Sequence, residues 1–314
     1  MNLKKPKFWD QSKLSLSALL LYPISLSYLL IASINKLFKV QKKFQIPIIC
    51  IGNIYIGGTG KTPLAIEMFN ILKSFGKNPG FVKKYYDYLD DEIKILKKAG
   101  TTFVSKNRIK AIDLLIENKN DIAILDDGFQ DSSIKNDFSI LCFNSKQWIG
   151  NGCTIPSGPL RERLNSIRRA DCIVINEKKF NIEEKISKLI SKDIQNNKLK
   201  IFYSKYKIVN LDKIKTSKVI AFAGIGNPSN FFDLLKENNV NLIKTYSFPD
   251  HYKYSNNEID KMFNESKLNN SNLITTEKDY FRMNEELKEK CQFVKVALEL
   301  EKKDEFKEFV KKFL

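Results

Sequence analysis

The run Ile46-Pro-Ile-Ile-Cys-Ile-Gly-Asn-Ile-Tyr-Ile-Gly-Gly-Thr-Gly-Lys-Thr-Pro63 joins a β-branched apolar stretch to a glycine-rich turn and a helix start. A buried strand that feeds straight into a helix N-terminus belongs to a parallel α/β sheet, so this run narrows the fold class at once. It also builds a phosphate cradle. Glycines let backbone N–H groups close around phosphate oxygens, the helix N-terminus adds positive potential, a lysine reaches the outer phosphates and a threonine hydroxyl can hold Mg²⁺. Here the parts are Gly57, Gly58, Thr59, Gly60, Lys61 and Thr62. The usual spacing G-x-x-x-x-G-K-[ST] is met at its end, but Tyr55 occupies the first glycine position and Gly57-Gly58 supply the flexibility. Pro63 suits a first helical turn, and Leu64, Ile66, Met68, Phe69, Ile71 and Leu72 continue with helical periodicity. The reading is a nucleotide triphosphate and phosphoryl chemistry.

The rest of the chain alternates in the same way. Strands are expected at Ile46–Asn53, Thr102–Val104, Asp121–Asp126, Phe138–Phe143, Asp171–Asn176, Lys200–Tyr206, Lys218–Ala223, Leu242–Ser247, Asn272–Thr276 and Gln292–Ala297. Helices are expected between several of them, among them Arg108–Glu117, Asn181–Ile194 and Ser229–Asn238. Alternation of this kind gives α/β layers with parallel sheets. With 314 residues the chain has room for two domains. A boundary near Asn210–Ser217 divides it into an N-terminal segment 1–38, a phosphate-loop domain 39–210 and a smaller α/β domain 211–314. The smaller part opens on Val219-Ile-Ala-Phe-Ala-Gly-Ile-Gly, where Gly224 and Gly226 read as a tight strand-to-helix turn rather than a dinucleotide fingerprint.

Leu14 to Asn35 carries no charged residue, close to the roughly 20 residues that span a bilayer core. Pro23 and five serines dilute it, and lysines flank both ends. Symmetric lysines suit a segment lying in an anionic leaflet; a spanning helix and a buried hairpin are the other two solutions. The net charge of +17 favours anionic partners, although lysine is abundant along the whole chain. No basic run has the interleaved aromatics of a nucleic-acid site, so no nucleic acid is expected. Five scattered cysteines and one histidine make a Cys/His zinc site unlike this composition.

Three further places carry chemistry. Ile122-Ala-Ile-Leu-Asp126-Asp127-Gly-Phe-Gln130 is an apolar strand ending in two carboxylates, where phosphate-loop enzymes organise Mg²⁺. Guanine-reading signatures are missing, which favours ATP. Pro156-Ser-Gly-Pro-Leu-Arg161-Glu162 is a rigid turn presenting Arg161 to a phosphoryl group and Glu162 to a metal, or else a surface ion pair. His251, the only histidine, is the natural general base at neutral pH, or else a structural residue of its turn, as a lone histidine more often is. Asp90-Asp91-Glu92, read alone, is a solvated helix start.

Taken in order, Gly52 to Pro63, Asp91-Glu92, Asp126 to Gln130, Pro156 to Glu162, Gly224-Ile-Gly-Asn-Pro228, Phe248-Pro-Asp-His-Tyr252 and Thr276-Glu-Lys-Asp279 resemble the tetraacyldisaccharide 4′-kinase (lipid A 4′-kinase) family over nearly the whole chain. Asp131 and Asp90 stand where the family often has His and Gly. The resemblance implies two α/β/α sandwich domains, the first a P-loop NTPase-like domain, with an N-terminal membrane-associated helix. It implies an ATP- and Mg²⁺-dependent kinase at the cytoplasmic face of the inner membrane, acting on a lipid A disaccharide 1-phosphate without an obligate protein partner. In that scheme Lys61 and Arg161 act on the phosphates, Thr62, Asp126, Asp127 and Glu162 serve the metal, and His251 pairs with Asp91 as the base. The rival readings are a membrane-attached ATPase coupled to a partner, and a non-enzymatic basic binding protein.

Overall fold

The computed structural model describes residues 5–11, 14–86, 90–177, 184, 199–215 and 217–314. The helix expected over 181–194 falls outside these apart from Glu184.

The chain forms two compact units. The larger comprises the described residues of Lys5–Tyr85, Gly100–Lys205 and Leu298–Leu314. The smaller comprises those of Tyr86–Ala99 and Tyr206–Ala297. This division differs from the continuous segments 1–38, 39–210 and 211–314 expected from the sequence, for two physical reasons. Asp90–Ala99 buries Ile93 and Leu96 and ties its acidic end to residues near 280 within the smaller unit. The C-terminal helix Lys303–Lys311 buries Phe306 and Val310; Phe306 packs edge-on against Phe202 of the larger unit, and Phe313, just past the helix, stacks on Phe138.

An eight-stranded sheet is built from β1 (Ile48–Gly52), β2 (Pro79–Lys84), β3 (Thr102–Ser105), β4 (Ile122–Asp126), β5 (Phe138–Asn144), β6 (Cys172–Asn176), β7 (Lys200–Ile208) and β12 (Val296–Leu300), in the order β12-β7-β6-β5-β1-β4-β2-β3. From β3 to β7 every neighbouring pair is parallel. β1, β4, β5 and β6 are buried at every position, as parallel strands covered on both faces must be. Around them lie α1 (Leu16–Leu37), α2 (Lys61–Ser74), α4 (Arg108–Glu117) and α10 (Lys303–Lys311). The smaller unit holds a parallel sheet of β8 (Lys218–Ala223), β9 (Leu242–Ser247), β10 (Ser271–Thr276) and β11 (Gln292–Val294), ordered β11-β10-β8-β9. Its main helices are α3 (Asp90–Ala99), α6 (Pro228–Glu237), α7 (Asn256–Leu268) and α8 (Glu277–Arg282).

The expected strands form, with two differences. Gln292–Ala297 divides into β11 and the start of β12, and β2 has no counterpart in the sequence reading. The approach Gly76-Lys-Asn-Pro-Gly80 has the composition of a turn, yet Pro79 is the first residue of a strand, where its missing N–H costs little.

α1 runs unbroken through Pro23 for 22 residues, about 33 Å at 1.5 Å per residue. It is the one described helix long and apolar enough to cross a membrane. Only Ala18 and Ser25 on it are buried, so a buried hairpin is not what forms. The serines that dilute its sequence have local partners: Ser27 and Ser33 donate to the carbonyls of Pro23 and Leu29 one turn back.

Candidate active site

The phosphate loop forms at the carboxyl end of β1, in the middle of the large sheet, where parallel α/β sheets place their ligands. Gly57 and Gly60 hold φ of 125° and 94°, which a side chain rarely adopts, and Gly60 caps the N-terminus of α2. Asn53 donates to Gly57 O at 3.3 Å and to Thr59 Oγ1 at 2.9 Å, and Gln130 donates to Asn53 O at 2.7 Å. The loop is thus clamped from behind and its curvature is preset. Tyr55 explains the missing first glycine. It is fully buried, bridges Leu160 and donates to Asp10 at 2.6 Å, so the chain bends at Gly57 instead.

Two carboxylates end β4 beside this loop. The Thr62 hydroxyl donates to Asp126 Oδ2 at 3.0 Å, and the same oxygen accepts Lys83 Nζ at 2.7 Å. Asp126 Oδ1 is buried without a hydrogen bond. Asp127 takes φ 61° and meets Arg161 Nη1 at 2.9 Å, with Lys61 Nζ 3.9 Å away. Burial alone would raise the Asp127 carboxyl, but the positive charges of Lys61, Arg161 and Lys83 outweigh it and bring it down to about 2. Arg108 holds the Asp127 carbonyl at 2.6 Å and the Asp131 carboxylate at 3.0 Å, which gives Asp131 a partner on the back of the site.

Arg161 is carried by the turn foreseen in the sequence. A cis Ile155–Pro156 bond opens it, Gly158 sits where a Cβ would lie 2.1 Å from Asn151 Oδ1, and Arg161 N donates to Ile54 O at 2.7 Å. The turn is pinned to α1: Ser25 donates to Thr154 O and accepts from Ser157 N, both at 3.0 Å. Glu162 does not join Thr62, Asp126 and Asp127. Its Oε2 is taken by Lys36 of α1 at 2.7 Å and by Arg169, seven residues further along the chain, at 2.6 Å. There Glu162 lines a cavity of about 640 Å³ with Tyr28, Leu29, Lys36, Arg161 and Arg163. Its lining mixes apolar side chains such as Leu26, Leu29 and Leu30 with charged ones.

In the smaller unit, His251 adopts φ 55°, and its N–H donates to Gly224 O at 3.1 Å. Gly224 must lack a side chain, since a Cβ would approach Tyr254 Oη to 2.7 Å. Asp91 is buried on α3, not solvated. The direct Asp91–His251 pair expected from the sequence does not form. Both hydrogen bonds to Asp91 come from Arg282, at 2.9 and 2.7 Å, because a planar guanidinium satisfies a buried carboxylate better than an imidazole does. Arg282 Nη1 also donates to Gly224 O at 2.7 Å, so both residues are tied to one carbonyl. Buried Asp279 supports the turn from below, accepting from Gly224 N, Thr276, Tyr254 and Arg282.

Sequence reasoning missed Lys83, Arg108 and Arg282. Among 53 lysines and arginines nothing marks these three; only the neighbours supplied by the fold single them out. No three His, Cys, Asp or Glu side chains among the described residues gather as an all-protein metal cage. Thr62 and Asp126 meet through a single hydrogen bond at the foot of the phosphate loop.

The family model described as tetraacyldisaccharide-1-P 4′-kinase matches residues 17–314. The chain is 41% identical over 304 residues to the tetraacyldisaccharide 4′-kinase of Pelagibacter ubique (strain HTCC1062), covering 96% of this chain and 95% of that one. It is 34% identical over 308 residues to that of Rickettsia canadensis (strain McKiel), covering 91% and 90%. Among solved structures, the "apo" form of LpxK from Aquifex aeolicus in complex with ATP superimposes with a TM-score of 0.70 at 24% identity, covering 94% of this chain and 99% of that one. Placed beside a phosphate loop whose lysine and threonine meet a pair of strand-end carboxylates, these matches show that the chain belongs to the tetraacyldisaccharide 4′-kinase family.

Proposed function

We propose that this chain transfers the γ-phosphate of ATP to the 4′-hydroxyl of a tetraacylated glucosamine disaccharide 1-phosphate. The observation that carries the reading is the cluster of Lys61, Thr62, Asp126, Asp127 and Arg161 beside a cavity lined by both apolar and charged side chains. That arrangement suits a phosphate donor and an amphiphilic acceptor.

Gly57, Gly58, Thr59 and Gly60 cradle the phosphates with backbone N–H groups, and Lys61 reaches the β- and γ-phosphates. Thr62 and Asp126 fit magnesium: one hydroxyl, one carboxylate and a buried oxygen still lacking a partner. When bound, magnesium neutralises charge on the β- and γ-phosphates. Asp127 holds Arg161 and Lys61 in register with the transferring group, and Arg161 offsets charge there in the transition state. Glu162 leaves the metal set of the sequence reading and serves the acceptor cavity, where Lys36, Arg161 and Arg163 suit a phosphorylated sugar. His251 accepts the proton of the 4′-hydroxyl on an imidazole nitrogen as the new P–O bond forms and the bond to ADP breaks. Asp91 acts on His251 through Arg282 and the Gly224 carbonyl. The exposed apolar residues of α1, flanked by lysines, support attachment to the anionic cytoplasmic leaflet of the inner membrane. No obligate protein partner enters this scheme.

The test is incubation with ATP, Mg²⁺ and a lipid A disaccharide 1-phosphate in mixed micelles. A bisphosphorylated product is expected. ATP hydrolysis without that product would replace the kinase reading by that of a membrane-attached ATPase.

A further inference from the structure

Lys83, next to the last residue of β2, stands directly across from Asp126 in the β2–β4 register. Its Nζ lies 2.7 Å from Asp126 Oδ2, the oxygen that also accepts the Thr62 hydroxyl. The lysine side chain is 2% exposed and the aspartate 0%. Burying an ammonium forfeits its hydration, and a lysine is almost never this buried unless paired with good geometry. The phosphates already have Lys61 and Arg161, which stand at Asp127. A third cation, placed on the carboxylate that would receive magnesium, is surplus to cradling the nucleotide.

We propose that Lys83 is a resident counter-cation at the magnesium position: a positioning residue that holds Asp126 against Thr62 and competes with the divalent ion for that carboxylate. The inference rests on the magnesium–ATP reading above. Lys83 is one of three cations, with Lys61 and Arg161, that face Asp126 and Asp127. A neutral residue at position 83 removes one of those positive charges. Metal-free ATP, which is strongly anionic, then binds less well, and magnesium finds Asp126 uncontested. The two changes have one sign: the factor by which magnesium tightens ATP binding rises.

The experiment is calorimetric titration of ATP into the full chain in detergent, once with Mg²⁺ and once with EDTA. Lys83→Gln keeps a hydrogen-bond donor to Asp126 without the charge, and Lys83→Arg keeps the charge. In Lys83→Gln the ratio of the two dissociation constants is expected to rise about fivefold or more over wild type, within the usual range of coupling between two ligands. Lys83→Arg is expected to stay near wild type. A merely structural lysine predicts equal weakening in both media and an unmoved ratio, which would overturn the inference. Should Lys83→Gln fail to fold, the wild-type chain still decides. Magnesium chloride alone, without nucleotide, is expected to leave Tm unchanged because the lysine already fills the position; a magnesium-dependent rise in Tm overturns the proposal. If magnesium does not alter ATP affinity in the wild type, the magnesium reading itself falls, a result distinct from an unmoved ratio in the variant.

Discussion

The proposed function gives Lys61 and His251 different work, and substitution separates them. Lys61→Ala removes a charge from the phosphate cradle and should weaken ATP binding as well as turnover. His251→Ala should lower kcat by about 10²–10⁴-fold, a general-base contribution, with ATP affinity intact by calorimetry. Unchanged turnover in His251→Ala would remove the base assignment. Asp127 gives a pH prediction whose sign is fixed. Its carboxyl ionises near 3.8 in an unfolded chain and at about 2 in the fold, held down by Lys61, Arg161 and Lys83 against the penalty of burial. A depressed carboxyl stabilises the fold above its unfolded value and ceases to do so as pH falls through the folded one. The stability gap between wild type and Asp127→Asn, read from urea midpoints, should shrink by about 2 kcal/mol between pH 5 and pH 2. A gap independent of pH would mean that the surrounding cations do not stabilise this carboxylate.

At the scale of the element, α1 answers to two different environments. One narrow face is pinned to the 154–157 turn through Ser25, while Leu20, Ile24 and Ile31 are exposed. Ser25→Ala leaves a buried N–H and a carbonyl without their partner and should cost about 1–3 kcal/mol in thermal or urea unfolding. Changing Leu20, Ile24 and Ile31 together to Ser should do the opposite: Tm in detergent stays near wild type, and flotation with anionic vesicles is lost. Retained flotation would mean that the lysines alone hold the chain to the bilayer.

The whole molecule is stitched discontinuously, and that has a consequence far from the site in sequence. Phe306, eight residues from the last, is fully buried and packs edge-on against Phe202 at 4.9 Å, while Phe313 stacks on Phe138 at 4.3 Å. These aromatics belong to the phosphate-loop unit. Phe306→Ala should therefore destabilise the ATP-binding unit by about 3–5 kcal/mol, seen as an early urea transition that added ATP shifts upward. A transition insensitive to ATP would place the loss elsewhere.

Much of the fold was legible because parallel strands buried on both faces must be near-continuous apolar runs, as β1, β4, β5 and β6 are. The phosphate loop was legible for a related reason: its function lies in backbone, and only glycine allows that backbone. Contiguous motifs likewise gave Asp126, Asp127, Arg161 and the His251 turn. Partners brought together from distant parts of the chain were not legible. Lys83 lies on the strand whose turn-like approach hid it, and its identity as one lysine among many carries no signal until Asp126 stands opposite in register. Asp91 read as solvent-facing because nothing nearby in sequence neutralises it; Arg282 does so from 191 positions away. Glu162 stands apart from Thr62, Asp126 and Asp127 for the same reason, since Lys36 meets it from a helix 126 residues earlier. Local chemistry fixed the strands, the cradle and the reaction class. Charge pairing depends on distance in space rather than along the chain, so the folded arrangement alone decided which charge meets which.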